Sequence, residues 1–127
     1  MTSEITGARS GSLPANVLLV EDNPIIAMNT EALLQELGVS EVSTAATASE
    51  GLALVEANSF DFAVLDLQLG NENSLPVAAV LAEQGVRFVF ATGFGEGVDL
   101  PAAYGATTIL KKPYRFEDLE RVVRGHS

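Results

Sequence analysis

Val17-Leu-Leu-Val-Glu-Asp-Asn-Pro24 joins an apolar run to two acids and a helix start. The run has strand length and no alternation of apolar and polar residues, so both of its faces need cover. That is the pattern of a strand inside a parallel sheet with helices on either side. Asn23 is a good N-cap, and Pro24 suits the first helical position. Ile26, Thr30, Leu33 and Leu37 then recur at helical spacing until Gly38 stops the segment.

The same alternation continues along the chain. Val42-Ser-Thr-Ala45 reads as a weaker strand, and Phe62–Leu65, Phe88–Ala91 and Thr107–Leu110 complete five. Thr47-Ala-Ser-Glu50 is a capping box that opens a second helix through Leu52 and Val55. Ser74-Leu-Pro76 opens a third, with Val77, Val80 and Leu81 on one face and Gly85 at its end. A last helix carries Phe116, Leu119 and Val122 or Val123. Between Phe94 and Tyr104, Gly95, Gly97 and Pro101 predict at most a short, weak helix. Strand and helix in repeated alternation predict an α/β doubly wound parallel sheet over residues 16–124. Residues 1–15 read as a flexible N-terminal tail, and residues 125–127 as a C-terminal one.

The chain of 127 residues suffices for one core without staples, and it has no cysteine. A disulfide framework, a Cys-ligated zinc site and a thiol nucleophile are therefore excluded. The formal charge is −10, against the basic stripe that a nucleic-acid surface needs. From Ser10 to Val86 there are eleven acids and no Lys or Arg; from Arg87 onward there are six bases and five acids. No apolar run reaches membrane-spanning length, and the N-terminus lacks the basic-then-apolar pattern of a signal peptide. The expected location is the cytoplasm. His126, the one histidine, lies in the C-terminal tail, where no catalytic role is expected.

In doubly wound sheets, ligands bind at the carboxyl ends of the strands. Here the first strand ends in Glu21-Asp22, the third in Asp66, the fourth in Thr92 and the fifth in Lys111-Lys112-Pro113. A polar residue closing one strand is commonplace; three carboxylates, a hydroxyl and an amine on one rim are not. Two carboxylates about 4 Å apart repel by roughly 4 kcal/mol at an effective dielectric near 20. Such a group of acids calls for a cation, and an all-oxygen donor set suits Mg²⁺. A lysine and a hydroxyl can bind the other oxygens of a phosphoryl group, and a carboxylate can be the nucleophile that takes one.

Val-Leu-Leu-Val-Glu-Asp-Asn, Phe-Ala-Val-Leu-Asp-Leu, Phe-Ala-Thr-Gly and Leu-Lys-Lys-Pro-Tyr together resemble the signature of response-regulator receiver domains of two-component signalling. The resemblance covers residues 16–124. It implies a flavodoxin-like (βα)5 fold with strand order 2-1-3-4-5. It implies that Asp66 is the phosphoacceptor and that Thr92 and Lys112 bind the phosphoryl oxygens. Asp22 would ligate Mg²⁺ directly, Glu21 through water, and Gln68 by its backbone carbonyl. The Lys112–Pro113 bond would be cis. Phe90-Ala-Thr-Gly-Phe94 further resembles the FATGUY subgroup, single-domain regulators paired with histidine kinases of the HWE or closely related type. Gly95 departs from that subgroup's final Tyr. In relatives the kinase docks against the first helix and the loop after the fifth strand.

The chain also departs from the wider family. Ile109 stands where many receivers carry an aromatic that swings inward on phosphorylation. Gln68 and Phe94 occupy positions that tune phosphate lifetime in relatives, and Gly93 leaves room for a kinase histidine. Residues 94–104 are expected to order on phosphorylation. The implied function is a monomeric single-domain response regulator. It takes a phosphoryl group from a sensor histidine kinase and signals to a downstream protein target, or serves as a phosphate sink or phosphotransfer shuttle. It catalyses only its own phosphorylation and dephosphorylation. Two alternatives are an aspartate-based phosphohydrolase and a receiver-like binding module that is never phosphorylated. Gln68 opposes the first, because such enzymes need an acid at that position for the leaving group.

Overall fold

The computed structural model describes residues 13–93, 100–104 and 107–125. Its first strand, β1 (Asn16–Val20), lies at the heart of the sheet, pairing in parallel with β2 (Glu41–Ala45) on one side and β3 (Phe62–Asp66) on the other. Beyond β3 run β6 (Arg87–Thr92) and β7 (Ile109–Lys111), also parallel. The sheet order is therefore β2-β1-β3-β6-β7. This is the expected 2-1-3-4-5 arrangement once two short extra strands, β4 (Gln68–Leu69) and β5 (Glu72–Asn73), are set aside. Those two form a separate antiparallel hairpin directly after Asp66, turning at Gly70 with φ 64°.

The apolar run of β1 is buried throughout, and its side chains alternate between two cores. Val17 and Leu19 join one core with Leu34 of α1 (Pro24–Leu37) and with Leu119 and Val123 of α4 (Phe116–Val123). Leu18 and Val20 join the other with Val55 of α2 (Ala48–Ala57) and Val77 and Leu81 of α3 (Leu75–Glu83). Each fully buried Leu or Val contributes about 1.5–3 kcal/mol of transfer free energy. The sheet is thus covered on both faces, as the unbroken apolar runs require.

Most helix boundaries fall at the expected caps. Asn23 Oδ1 accepts from the N–H groups of Ile25 (2.9 Å) and Ile26 (3.1 Å), and Gly38 closes α1 at φ 114°. Thr47 Oγ1 accepts from Glu50 N at 3.0 Å, while the Glu50 carboxylate reaches Ala46 N, one residue before the cap. Ser74 holds the N-cap position of α3, as Ser74-Leu-Pro76 predicts, but its hydroxyl is buried and makes no cap bond, and Asn73 Oδ1 takes the Leu75 N–H at 2.9 Å. The last sheet strand also starts two residues later than Thr107–Leu110 and ends one later, because Thr107 bonds back to Tyr104 in a turn.

Four α-helices, rather than the five of a full (βα)5 repeat, occur among the described residues. Between β6 and β7 these residues carry only a 3₁₀ turn, Ala102–Tyr104. Pro101 at its start has no N–H to give to a longer helix. Tyr104 packs edge-on against Phe88 and Phe90, with centroids 6.0 and 5.8 Å away. Phe94, Gly95 and most of the segment expected to order on phosphorylation lie outside the described residues, as does His126. Leu13, Pro14 and Ala15, grouped by composition with the tail, are attached to the body. Leu13 packs on the core, and Ala15 N donates to Asp61 Oδ2 at 3.1 Å.

Candidate functional site

Parallel pairing puts the carboxyl ends of four strands at one level. Val20 is in register with Leu65, Asp66 with Ala91, and Thr92 with Lys111. Glu21, Asp66 and Thr92 therefore end their strands on the same rim, and each is no more than 3% exposed. Asp22, one residue further along, is exposed. Oxygens of the three carboxylates lie within 4.8 Å of one another. Lys112 follows β7, with its N–H donating to the Thr92 carbonyl at 2.7 Å, and the Lys112–Pro113 bond after it is cis.

The Lys112 ammonium sits among the acids. Its Nζ is 3.1 Å from Glu21 Oε1 and 3.2 Å from Asp66 Oδ2. Glu21 Oε2 accepts from the Asn23 N–H at 3.1 Å, so both of its oxygens are engaged. The amine expected to face a phosphoryl group thus bridges two of the carboxylates themselves. Lys111, by contrast, is exposed, since strand alternation turns it away.

Burial, followed by the hydrogen bond and charge of Glu21, raises the Asp66 pKa to about 8, with Lys112 opposing the rise. Burial alone would lower the Lys112 pKa, but Asp66 and Glu21 outweigh it and raise it above its ordinary value. Asp66 Oδ1 is buried with no hydrogen-bond partner among the described residues. A buried acceptor left open beside two further carboxylates, with only oxygen donors, fits a hard divalent cation. Among the described residues these acids are the one group of three or more His, Asp or Glu close enough to hold an ion together.

Gln68 is exposed in β4, and its side-chain amide donates to Gly70 O at 3.0 Å within its own hairpin. Ile109 is partly buried, in register with Phe90. Glu21, Asp22, Asp66, Thr92 and Lys112 are legible in the sequence as strand-end residues. Tyr114, whose hydroxyl meets Thr30 of α1, is not, and its one signal is its place in Leu-Lys-Lys-Pro-Tyr.

A doubly wound sheet in this order, with acids and a lysine on its carboxyl rim, defines a phosphorylation-dependent signalling domain. Residues 17–124 match the response regulator receiver domain, and the chain belongs to that family. The solution structure of SdrG from Sphingomonas melonis Fr1 is 38% identical, with a TM-score of 0.75, over 84% of this chain and 91% of that one. The transcriptional regulatory protein PdtaR of Mycobacterium tuberculosis is 28% identical over 94% of this chain and 59% of its own length. The photosynthetic apparatus regulatory protein RegA of Cereibacter sphaeroides is 34% identical over 77% of this chain and 55% of its own length. The chain spans little more than half the length of these two curated relatives.

Proposed function

We propose that this chain works as a single-domain response regulator. It takes a phosphoryl group from the phosphohistidine of a sensor histidine kinase onto Asp66, and passes the signal on by protein contact or acts as a phosphate sink or shuttle. The observation that carries this reading is Asp66 itself: a buried carboxylate with one oxygen on Lys112 and the other open. Once a bound cation has displaced its proton, an Asp66 carboxylate oxygen attacks phosphorus. The P–N bond breaks, the imidazole nitrogen keeps the bonding pair, and an acyl phosphate remains on Asp66. Glu21, Asp22, Asp66 and the Gln68 backbone carbonyl would hold Mg²⁺, which when bound neutralises charge on the transferring group. Lys112 exchanges its carboxylate partner for a phosphoryl oxygen, and the Thr92 hydroxyl binds another.

The kinase class favoured is HWE or a closely related type, on the strength of Phe90-Ala-Thr-Gly93. Docking is proposed on α1 and the loop after β7. No helix among the described residues is long and apolar enough to cross a membrane, and a cytoplasmic setting is proposed. The test is incubation with purified candidate kinases, ATP and Mg²⁺. One kinase should place base-labile label on the wild type and none on Asp66→Asn, because an amide cannot attack phosphorus. Label persisting on the Asn variant would move the phosphosite elsewhere.

A further inference from the structure

Tyr114 stands two residues beyond Lys112, in the connection from β7 to α4. Its ring packs against the core beneath α1 and α4, and its hydroxyl lies 2.5 Å from Thr30 Oγ1. Thr30 is in the interior of α1 and only 1% exposed. A helical threonine hydroxyl ordinarily bonds back to its own helix or faces solvent. Here it meets a tyrosine 84 residues away in the chain.

The two elements joined by this pair are the ones that carry the two sides of the acid–lysine cluster. Glu21 and Asp22 lead directly into α1, and Glu21 is fastened to the start of that helix through the Asn23 N–H. Lys112 leads through Pro113 to Tyr114. The contacts therefore close a circuit, with the Lys112–Glu21 ion pair on one side and the Thr30–Tyr114 hydroxyl pair on the other. A cavity of about 440 Å³ opens beside it, lined among others by Leu33, Gly93, Lys112 and Tyr114. Side-chain packing on that side of the loop is incomplete, so the polar tie matters more to where the loop sits. A lysine on a loosely held loop spends its rotamer freedom away from the reacting group.

We infer that Tyr114, fixed by Thr30, is a positioning residue that holds the Lys112 ammonium at Asp66. The inference rests on the proposal that Asp66 accepts the phosphoryl group. Burial raises the Tyr114 hydroxyl above its usual pKa, so it remains a neutral partner throughout the working range.

The test uses the full chain with Mg²⁺ and acetyl phosphate, from which acetate leaves as Asp66 is phosphorylated. Rates are measured for the wild type, Tyr114→Phe, Thr30→Val and Thr30→Ser. Tyr114→Phe and Thr30→Val are then repeated in a Lys112→Ala background and compared with Lys112→Ala alone, with melting temperatures for all. Tyr114→Phe and Thr30→Val should each slow phosphorylation about two- to tenfold, the weight of an ordinary net hydrogen bond. Thr30→Ser, which keeps the hydroxyl, should restore the rate. In the Lys112→Ala background the two substitutions should have no further effect, because the group they act through is gone. Wild-type rates in both variants, or equal slowing with and without Lys112, would overturn the positioning role. Failure of the underlying reading looks different: the wild type itself would take no phosphate on Asp66.

Discussion

Asp66 keeps its proton far above the pH at which a free carboxyl loses it, because burial and Glu21 oppose its charge more than Lys112 supports it. Its folded pKa of about 8 lies above the unfolded value of 3.8, so the native state holds the extra proton between those limits. Without divalent cations, stability should therefore fall as pH rises from about 4 to 8 and level off above that. Melting curves in chelator across that range check the sign. Asp66→Asn, which has nothing to ionise, should flatten the slope and at pH 8 be more stable than the wild type. Asp22 plays a different part, being exposed and without a resolved role in the resting cluster. Mg²⁺ should raise the wild-type melting temperature, by about 2.7 kcal/mol of stability at a hundred times Kd. Asp22→Asn should remove most of that response while leaving stability in chelator unchanged or higher. A melting temperature indifferent to Mg²⁺ in the wild type would sink the cation site.

At the scale of elements, two polar devices set where helices start and stop. Asn23→Ala removes the acceptor for two N–H groups of α1 and should cost about 1 kcal/mol by denaturant unfolding. At the other end of the sheet, the Arg87 guanidinium donates to Val122 O and Val123 O at 2.7 Å each and lies 4.4 Å from the centroid of the Phe62 ring. It thereby closes the last turn of α4. Arg87→Gln should cost about 1–2 kcal/mol and loosen α4 in hydrogen exchange before the rest of the molecule. The elements themselves were legible wherever double-sided burial writes an unbroken apolar run, as in Val17–Val20 and Phe62–Leu65. The start of α3 at Ser74 was legible as well, but its cap bond was not, because the Ser74 hydroxyl is buried and Asn73 reaches the free N–H. The hairpin Gln68–Asn73 left no readable pattern, since two-residue strands are too short to show a period.

Across the whole molecule, charge and apolar exposure meet on α1. Ile25 and Met28 are 69% and 68% exposed, and Glu31 and Glu36 follow on the same helix. Such a face suits a partner that offers an apolar contact framed by Lys or Arg. Glu31→Lys with Glu36→Lys should slow phosphotransfer from the cognate kinase about tenfold at low salt, with the difference shrinking as salt is added. Unchanged rates at low salt would remove the charge argument. The acids of the site were readable from the sequence because each closes a strand, and parallel strands bring their ends to one level. The Thr30–Tyr114 pair was not, since it links positions that only the finished fold makes neighbours. Nor was the direct contact of the Lys112 ammonium with Glu21 and Asp66, since strand ends place residues on a rim without fixing which side chains meet. In the fold, its ammonium lies 3.1 and 3.2 Å from two of the carboxylates that would hold a divalent ion, as a counterion tethered by its own side chain. The cluster thereby carries part of its own neutralising charge, and a soluble cation has to compete with it for Glu21 and Asp66. Affinity for the ion and grip on the phosphoryl group are set against each other in one residue. Replacing Lys112 with methionine should tighten cation binding even as it weakens the phosphorylated state.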